Sequence, residues 1–424
     1  MSHPRFWLGL LAGAAIAAGH PSMAAESRLP ADLPRGVSAT LYELVVPASA
    51  QPTPEKVALG EKLFNEKRLS VDDSVSCATC HDPQRGFVDH KITSEGVRQQ
   101  HGTRNSPTVL NAMFNATQFW DGRAPSLEEQ AKLPILNPVE MAQKSPADVV
   151  AKVRGIPEYS DAFKKVFGRE VTYDDLSAAI AAFERTQYAG DAPFDRYIAG
   201  DANAMDAAAQ RGWSIFNGKG RCNNCHALST TSPLFSDQKF HNIGIAAHKT
   251  DFPERARKAL ALVRSGDLEQ IDHLALETDL SELGRFLITK QPNDIGAFKT
   301  PTLRNIVITG PYMHDGSMVT LWDVMDHYNK GGVPNPYLDG GMQRLGLSEE
   351  EIDDTVAFLA ALTSDRFAAF AKEEMAAQVA KKGVRPERDT EAAMGKKGNL
   401  GDLAPNPDLK NPANIGVLPP VPLL

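Results

Sequence analysis

Cysteine is rare in this sequence, which leaves nothing for a disulfide framework. Only four cysteines occur among 424 residues, and they fall at positions 77, 80, 222 and 225, within two short motifs. An exported chain would ordinarily place spare cysteines in disulfides, and here none is spare. The cysteine chemistry of the chain is therefore confined to those two motifs.

A basic excess is also lacking. The sequence has 45 Lys and Arg residues against 53 Asp and Glu residues, which gives a formal net charge of −8 at pH 7. Proteins that bind nucleic acid need a basic face, so we expect no nucleic-acid partner. The composition is that of a soluble globular protein, and the length is more than one ordinary core can use, which predicts two domains.

Long apolar runs are absent beyond the N-terminus. The one such run, 6–18, follows the basic Arg5 and precedes small residues around Ala24. This order is typical of a secretory signal peptide. The alternative is a membrane anchor, but the run is shorter than the ~20 residues that span a bilayer. We therefore predict a signal peptide over 1–24, export to the periplasm, and no membrane span after the signal is removed.

The two cysteine motifs share one pattern, C-x-x-C-H. They read Cys77-Ala78-Thr79-Cys80-His81 and Cys222-Asn223-Asn224-Cys225-His226. In c-type cytochromes the two thiols attach the haem and the histidine binds its iron. A shared zinc site would leave both histidines unexplained, and a thioredoxin-like dithiol needs no histidine and comes in a βαβ context that is missing here. The motifs therefore predict two covalent c-type haems.

The flanks of the motifs repeat as well. A helical pattern ends in "GEKLFN" (60–65) before the first motif and in "GWSIFN" (212–217) before the second. Further downstream, amphipathic patterns begin at capping-box sequences, Thr172 with Asp175 and Ser348 with Glu351. We predict a mainly α protein of two tandem cytochrome-c-like domains with long loops, each holding one covalent haem.

The predicted boundaries follow from this repeat. The N-terminal haem domain covers 51–195 and the C-terminal haem domain covers 196–365, with an N-terminal extension at 25–50. A C-terminal extension, 366–424, should begin as a helix and continue as an extended, Pro- and Gly-rich segment. The stretch 251–284 is charged and predicted to be helical.

Two longer stretches carry a family resemblance. The segments "HGTRNSPTVLNAMFNATQFWDGRAPSLEEQAKLPILNPVEM" (101–141) and "FKTPTLRNIVITGPYMHDGSMVTLWDVMDHYNKGG" (298–332) closely resemble the bacterial dihaem cytochrome c peroxidases and MauG. The resemblance covers roughly 50–365 and implies a peroxidase that reduces hydrogen peroxide to water. Electrons would come from a small redox protein or from a residue of a partner protein. Two haems alone would also suit a non-enzymatic electron carrier, which is the alternative.

The resemblance assigns roles around the first haem. His81 is implied to be its proximal ligand, with the opposite side open to peroxide. Glu140 and Gln130 match the distal pair of the family, in which a carboxylate can move the peroxide proton and a neutral amide can orient the peroxide. Trp120 matches a tryptophan that lies between the haems and can relay charge. From the residues alone, Glu140 suits a solvated loop carboxylate and Trp120 suits core packing.

A calcium ion between the haems is also implied by the resemblance. Asn105 matches a side-chain ligand, and Thr309 and Pro311 match backbone-carbonyl ligands. Amide and carbonyl oxygens are hard donors that suit calcium. The alternative is a loop held by ordinary hydrogen bonds.

The second haem would have His226 as its proximal ligand, and its sixth ligand separates the branches of the family. The peroxidases place a methionine where this chain has Tyr328, as MauG does. Met325 and Met342 lie nearby and are the alternatives. His101 lies in the loop that carries a resting-state ligand in classical members, but this loop is shorter, so we do not assign it a role.

Overall fold

The computed structural model describes residues 30, 33–47, 50–228, 234–249, 251–266 and 280–382. The predicted signal peptide, the end of the C-terminal extension from 383 onward and part of the 251–284 insertion lie outside these residues. The described part is mainly helical, as the sequence predicted. Two short strands, β1 (Phe240–His241) and β2 (Phe298–Lys299), pair antiparallel with Phe240 opposite Lys299.

The helices fall before and after a linker near residue 200. The first set is α1 (Ala39–Val45), α2 (Pro54–Phe64), α3 (Cys77–Cys80), α4 (Leu127–Leu136), α5 (Pro146–Arg154), α6 (Pro157–Phe167), α7 (Tyr173–Glu184) and α8 (Pro193–Ile198). The second set is α9 (Ala207–Asn217), α10 (Phe252–Ser265), α11 (Phe286–Thr289), α12 (Leu321–Asn329), α13 (Glu349–Ala360) and α14 (Ala368–Lys382). Helix α10 confirms a helical stretch within the charged insertion, and α14 confirms a helical start to the C-terminal extension.

The same helix crossing occurs in each half of the chain. Helix α2 packs on α7, and a Cβ atom added at Gly60 would lie 1.9 Å from the Ala179 carbonyl oxygen. Helix α9 packs on α13, and a Cβ added at Gly212 would lie 1.9 Å from the Asp354 carbonyl oxygen. Each crossing therefore depends on a glycine that lets two backbones touch.

One of the two predicted capping boxes forms completely. The Ser348 N–H donates to Glu351 Oε2 at 2.8 Å, and the Glu351 N–H donates to Ser348 Oγ at 3.2 Å. Thr172 Oγ1 accepts from the Asp175 N–H at 3.0 Å, but Thr172 then donates its hydroxyl to the Asp175 carboxylate at 2.8 Å. Asp175 also binds Arg169, so its carboxylate turns away from the Thr172 N–H.

A triad of phenylalanine rings lies behind each C-x-x-C-H motif. In the first half the ring centroids of Phe64 and Phe183 are 5.1 Å apart, and both rings contact Phe87. In the second half Phe216 and Phe358 are 5.1 Å apart, and both contact Phe235. Each triad joins the crossing helices to the loop that follows the motif. The repeat seen in the sequence thus continues into the packing of the core.

Helix α14 contacts both halves. Gln378 is only 4% exposed; its side-chain amide donates to the Tyr312 hydroxyl at 2.9 Å and accepts from the Leu321 N–H at 2.9 Å. On the same helix, Glu374 lies 4.0 Å from Arg85, close after the first motif. The helical part of the C-terminal extension is thus anchored by a buried polar group. Within the described residues, no helix has the length and apolar character needed to cross a membrane.

Candidate functional site

The two motif histidines are oriented in the same way. His81 Nδ1 lies 3.2 Å from the Phe87 carbonyl oxygen, and His226 Nδ1 lies 2.8 Å from the Phe235 carbonyl oxygen. A carbonyl only accepts, so Nδ1 carries the proton and Nε2 keeps its lone pair for a metal. Burial lowers the pKa of both imidazoles, which favours the neutral form that metal binding requires.

The four cysteines are free thiols beside these histidines. Helical turns bring each histidine back over its motif, since the His81 N–H donates to the Cys77 carbonyl at 2.9 Å and the His226 N–H to the Cys222 carbonyl at 2.8 Å. Burial raises the pKa of Cys80 to about 11 and that of Cys222 to about 12. Neutral, unpaired thiols in apolar surroundings fit covalent haem attachment.

A large apolar cavity extends from the second motif towards the first half of the chain. It is lined by Cys222, Cys225 and His226, by the three candidate sixth ligands Tyr328, Met325 and Met342, and by Trp120. A cavity of this lining, with an imidazole and candidate ligands, fits a haem.

Tyr328 and Met325 differ in their surroundings within this cavity. Within the described part of the chain, no hydrogen bond engages the Tyr328 hydroxyl, and burial raises its pKa. Met325 is 4% exposed and belongs to the hydrophobic core. Of these two candidate iron ligands, the Tyr328 oxygen therefore has fewer interactions with the rest of the protein than the Met325 side chain.

Trp120 is fixed between the halves by backbone contacts. Its indole Nε1–H donates to the Asn105 carbonyl at 2.9 Å, and the Asn105 N–H donates to the His314 carbonyl at 2.9 Å. The Lys299 N–H donates to the Trp120 carbonyl at 2.8 Å. Trp120 is thus tied to both halves and faces the cavity of the second motif.

The predicted calcium ligands line the same cavity. Asn105, Thr309 and Pro311 all border it. The Asn105 side-chain amide donates to the Lys91 carbonyl at 2.9 Å, which fixes its orientation. Among the described residues, none donates a hydrogen bond to Asn105 Oδ1. An oriented, unused amide oxygen near backbone carbonyls fits a hard cation.

Glu140 lies close to the first motif. Its carboxyl accepts from the Asn137 side-chain amide at 2.8 Å. Burial raises the pKa of Glu140, with a smaller opposing effect of Arg123. Glu140 in turn contributes to the raised pKa values of the Cys77 and Cys80 thiols, after their burial. The structure therefore brings this carboxyl and the first motif together.

The other first-half candidates are less constrained. Gln130 is half-buried on α4, and its side-chain amide has no hydrogen-bond partner within the described residues. His101 is exposed and forms a single β-bridge with Glu95. The role of Gln130 stays a prediction, and His101 gains no contact that would give it one.

An asymmetry between the halves was missed in the sequence. Helices α4 and α12 begin at equivalent caps, Ser126 and Thr320, and each cap follows one isolated β-bridge, Gln118 with Ala124 and Tyr312 with Met318. Counted from the caps, Pro134 occupies the place of Tyr328. The first half therefore has no ligating side chain where the second has a phenol. The dipeptide Asp-Gly occurs before both caps, at 121–122 and 315–316, and aligning the two copies would have shown that Pro134 corresponds to Tyr328.

The sequence also did not predict a buried ionic cluster. His314 Nε2 lies 2.8 Å from Glu282 Oε2, both side chains are nearly fully buried, and Lys249 lies 2.7 Å from the same carboxylate. Burial alone would raise the pKa of Glu282. The hydrogen bond from His314 and the nearby charge of Arg104 outweigh burial and lower this pKa. Glu282 lies at the end of the charged insertion, where no sequence signal linked it to His314.

His241 sits at the rim of the second cavity between two carboxylates. Its Nδ1 lies 2.6 Å from Asp339 and its Nε2 lies 2.9 Å from Asp237. Hydrogen bonding, first to Cys225 and then to the two carboxylates, raises the pKa of His241 to about 10. Cys225, Asp237 and His241 lie close enough to hold a metal ion, but Cys225 belongs to the haem motif.

Comparison with known proteins agrees with this geometry. The sequence profile described as di-haem cytochrome c peroxidase matches residues 54–203. The chain is 38% identical over 371 residues to cytochrome-c peroxidase IdrP1 of Denitromonas iodatirespirans, covering 86% of this chain and 94% of that one. The chain belongs to the dihaem cytochrome c peroxidase family.

Both branches of the family are represented among its relatives. Methylamine utilization protein MauG of Methylorubrum extorquens is 39% identical over 315 residues, covering 74% of this chain and 79% of that one. The crystal structure of a MauG-like protein associated with microbial copper homeostasis has 30% identity and a TM-score of 0.64, and covers 80% of this chain and 96% of that one. Family membership confirms the resemblance read from the sequence and implies haem as the cofactor.

Proposed function

We propose that this protein is an exported dihaem c-type peroxidase, which reduces hydrogen peroxide to water at the first motif and passes electrons through the second. The observation that carries the proposal is the asymmetry of the two sites. Pro134 offers no ligating side chain at the position in the first half that corresponds to Tyr328 in the second, and Glu140 lies close to the first motif. A plain electron carrier would need neither this difference between the two halves nor the carboxyl.

The first site would bind peroxide and manage its protons. A haem held by Cys77, Cys80 and His81 supplies the redox chemistry, in which hydrogen peroxide takes two electrons and two protons and gives two water molecules. Glu140, oriented by Asn137, accepts the proton of bound peroxide and returns it to the departing oxygen. Gln130 orients the peroxide by hydrogen bonding.

The second site would pass electrons to the first. Cys222, Cys225 and His226 would hold its haem, and Tyr328 would supply a further ligand to the iron. Trp120 relays charge, and a calcium ion at Asn105, Thr309 and Pro311 keeps the segments between the haems in place. The electron source is a small redox protein or, as the tyrosine ligand favours, an oxidisable residue of a partner protein.

The remaining parts of the proposal concern layout and location. The halves 51–195 and 196–365 act as tandem haem domains, and the similar helix crossings and phenylalanine triads support this division. The N-terminal apolar run supports the signal peptide, and the two C-x-x-C-H motifs, which are typical of exported cytochromes, support the periplasmic location.

The proposed haem content has a direct test. Mass spectrometry of the mature protein after acid–acetone extraction should retain two haem masses, because thioether bonds survive extraction. The ferric spectrum should contain one high-spin and one low-spin haem, and peroxide should react with the protein. Two low-spin haems without a peroxide reaction would instead support the electron carrier.

Replacing Trp120 by Phe is expected to preserve both haems and peroxide binding but to uncouple the second haem from turnover. Phenylalanine keeps an aromatic ring, although a smaller one, but is a much poorer site for an electron hole and lacks the Nε1–H that donates to the Asn105 carbonyl. Steady-state oxidation of an added electron donor measures the coupling. Phe119→Leu, one residue away, is a control; an unchanged rate in Trp120→Phe would leave the indole only a packing role.

A further inference from the structure

Glu184 is a buried carboxylic acid that the proposed mechanism does not use. It is the last residue of α7, is 6% exposed, and its Oε2 is buried without a hydrogen-bond partner among the described residues. Burying a carboxyl group without a partner is costly. The position therefore calls for an explanation other than stability.

The charged groups near Glu184 do not neutralise it. Arg185 forms a two-contact ion pair with Glu128, with distances of 2.7 and 3.0 Å, so the guanidinium is engaged elsewhere. Burial is the largest influence on Glu184 and raises its pKa to about 8; Arg185 opposes this shift and Glu128 adds to it. The carboxyl is thus able to exchange a proton near neutral pH.

The repeated helix crossing places Glu184 at the first haem site. Phe183 contacts Gly60 in the first half as Phe358 contacts Gly212 in the second. The residue after Phe358 is Leu359, which lines the cavity of the second motif. The residue after Phe183 is Glu184, so an acid replaces a leucine at the equivalent place.

The electrostatics of the first motif support this placement independently. Burial is the first cause of the raised pKa of the Cys77 thiol, and the charge of Glu184 is the second. Glu140 acts on the same thiol more weakly. Two carboxyl groups, the buried Glu184 and the half-buried Glu140, therefore act on the first motif, and Glu184 has the stronger effect on Cys77.

We propose that Glu184 is a positioning residue that couples a proton to the oxidation state of the first haem. When one electron from a one-electron donor reaches that haem, Glu184 takes up one proton from solvent, and it releases the proton when the electron leaves. The net charge of the first haem site then stays constant. The second haem has Leu359 at this place and lacks the coupling. The inference rests on the proposed function only in requiring a haem at the first motif.

The test is the midpoint potential of the first haem of the dihaem protein, measured by spectroelectrochemistry between about pH 6 and pH 9. In the wild type the potential should fall as pH rises. The slope should approach a limit of about 59 mV per pH unit, which for one electron corresponds to a tenfold change in the equilibrium constant per pH unit. Glu184→Gln should be nearly independent of pH and should have the higher potential at alkaline pH, because it lacks the carboxylate that stabilises oxidised iron. Glu184→Asp should keep the pH dependence.

The second haem is the internal control, and its potential should be the same in all variants. Glu184→Leu, which introduces the residue of the second half, provides an apolar variant if the Gln protein fails to fold. An unchanged pH dependence in both variants, or an equal shift of both haems, would overturn the proposal. The measurement uses no peroxide, so its outcome is separate from that of the peroxidase test.

Discussion

Glu140→Gln is expected to slow the reaction with hydrogen peroxide by roughly 10²–10⁴-fold, the usual contribution of a positioned general acid–base group. Glutamine keeps the shape of the side chain and can still bond to Asn137, but it cannot accept a proton. Stopped-flow mixing of the ferric protein with peroxide measures the rate. Both haem spectra should persist, because Glu140 is not proposed to bind iron.

The pH dependence of the same rate gives a second readout. The group must be deprotonated to accept the peroxide proton, and burial raises the pKa of Glu140 above its ordinary value. The rate should therefore rise with pH through that raised pKa in the wild type, and this rise should vanish in Glu140→Gln. Glu129→Gln, which changes an exposed glutamate of α4, is the matched control. A wild-type rate in Glu140→Gln would exclude Glu140 as the base.

Tyr328→Phe is expected to change the spectrum of the second haem and to abolish the direct reaction of the diferric protein with peroxide. A phenol oxygen favours ferric and higher states, whereas a methionine sulfur favours ferrous iron, and axial-ligand identity moves haem potentials over about 0.8 V. With Tyr328 as ligand, the protein should need no prior reduction. This behaviour would favour an oxidised residue of a partner protein over a cytochrome donor.

Control variants distinguish the candidate ligands. Met325→Leu and Met342→Leu are close in volume and should leave the spectrum of the second haem unchanged if Tyr328 binds iron. The experiment compares peroxide addition with and without prior one-electron reduction. If the wild type reacts only after reduction, or if a methionine variant changes the spectrum while Tyr328→Phe does not, the donor is a redox protein and the ligand is methionine.

Local signals in the sequence predicted the helices and the haem motifs. Capping residues such as Ser348 and the apolar spacing along α7 and α13 act on residues that are close in the sequence. Their effects on secondary structure can therefore be predicted from the sequence alone. The C-x-x-C-H pattern is equally local. The candidate roles of Glu140 and Tyr328 came only from the family resemblance, because nothing in their neighbouring residues distinguishes a catalytic carboxyl or an iron ligand from an ordinary side chain.

Long-range contacts could not be read in the same way. The bond between His314 and Glu282 joins segments 32 residues apart, and the cavity of the second motif draws residues from both halves. Glu184 was hidden because it ends an apolar helical pattern beside Arg185, where an acid reads as a surface ion-pair partner. Only the three-dimensional structure shows that its side chain is buried and that Arg185 pairs with Glu128 of α4.

The two phenylalanine triads bear on how two similar halves of one chain can come to differ in their chemistry. Because Phe87 and Phe235 both present their carbonyls to the Nδ1 atoms of the motif histidines, the basicity of the two motif imidazoles should be closely matched. Any difference between the two haems would then come from the other residues around them, where Pro134 corresponds to Tyr328 and Glu184 corresponds to Leu359. Exchanging those few side chains, with the histidine side left intact, is the shortest route by which one haem could be given the reactivity of the other.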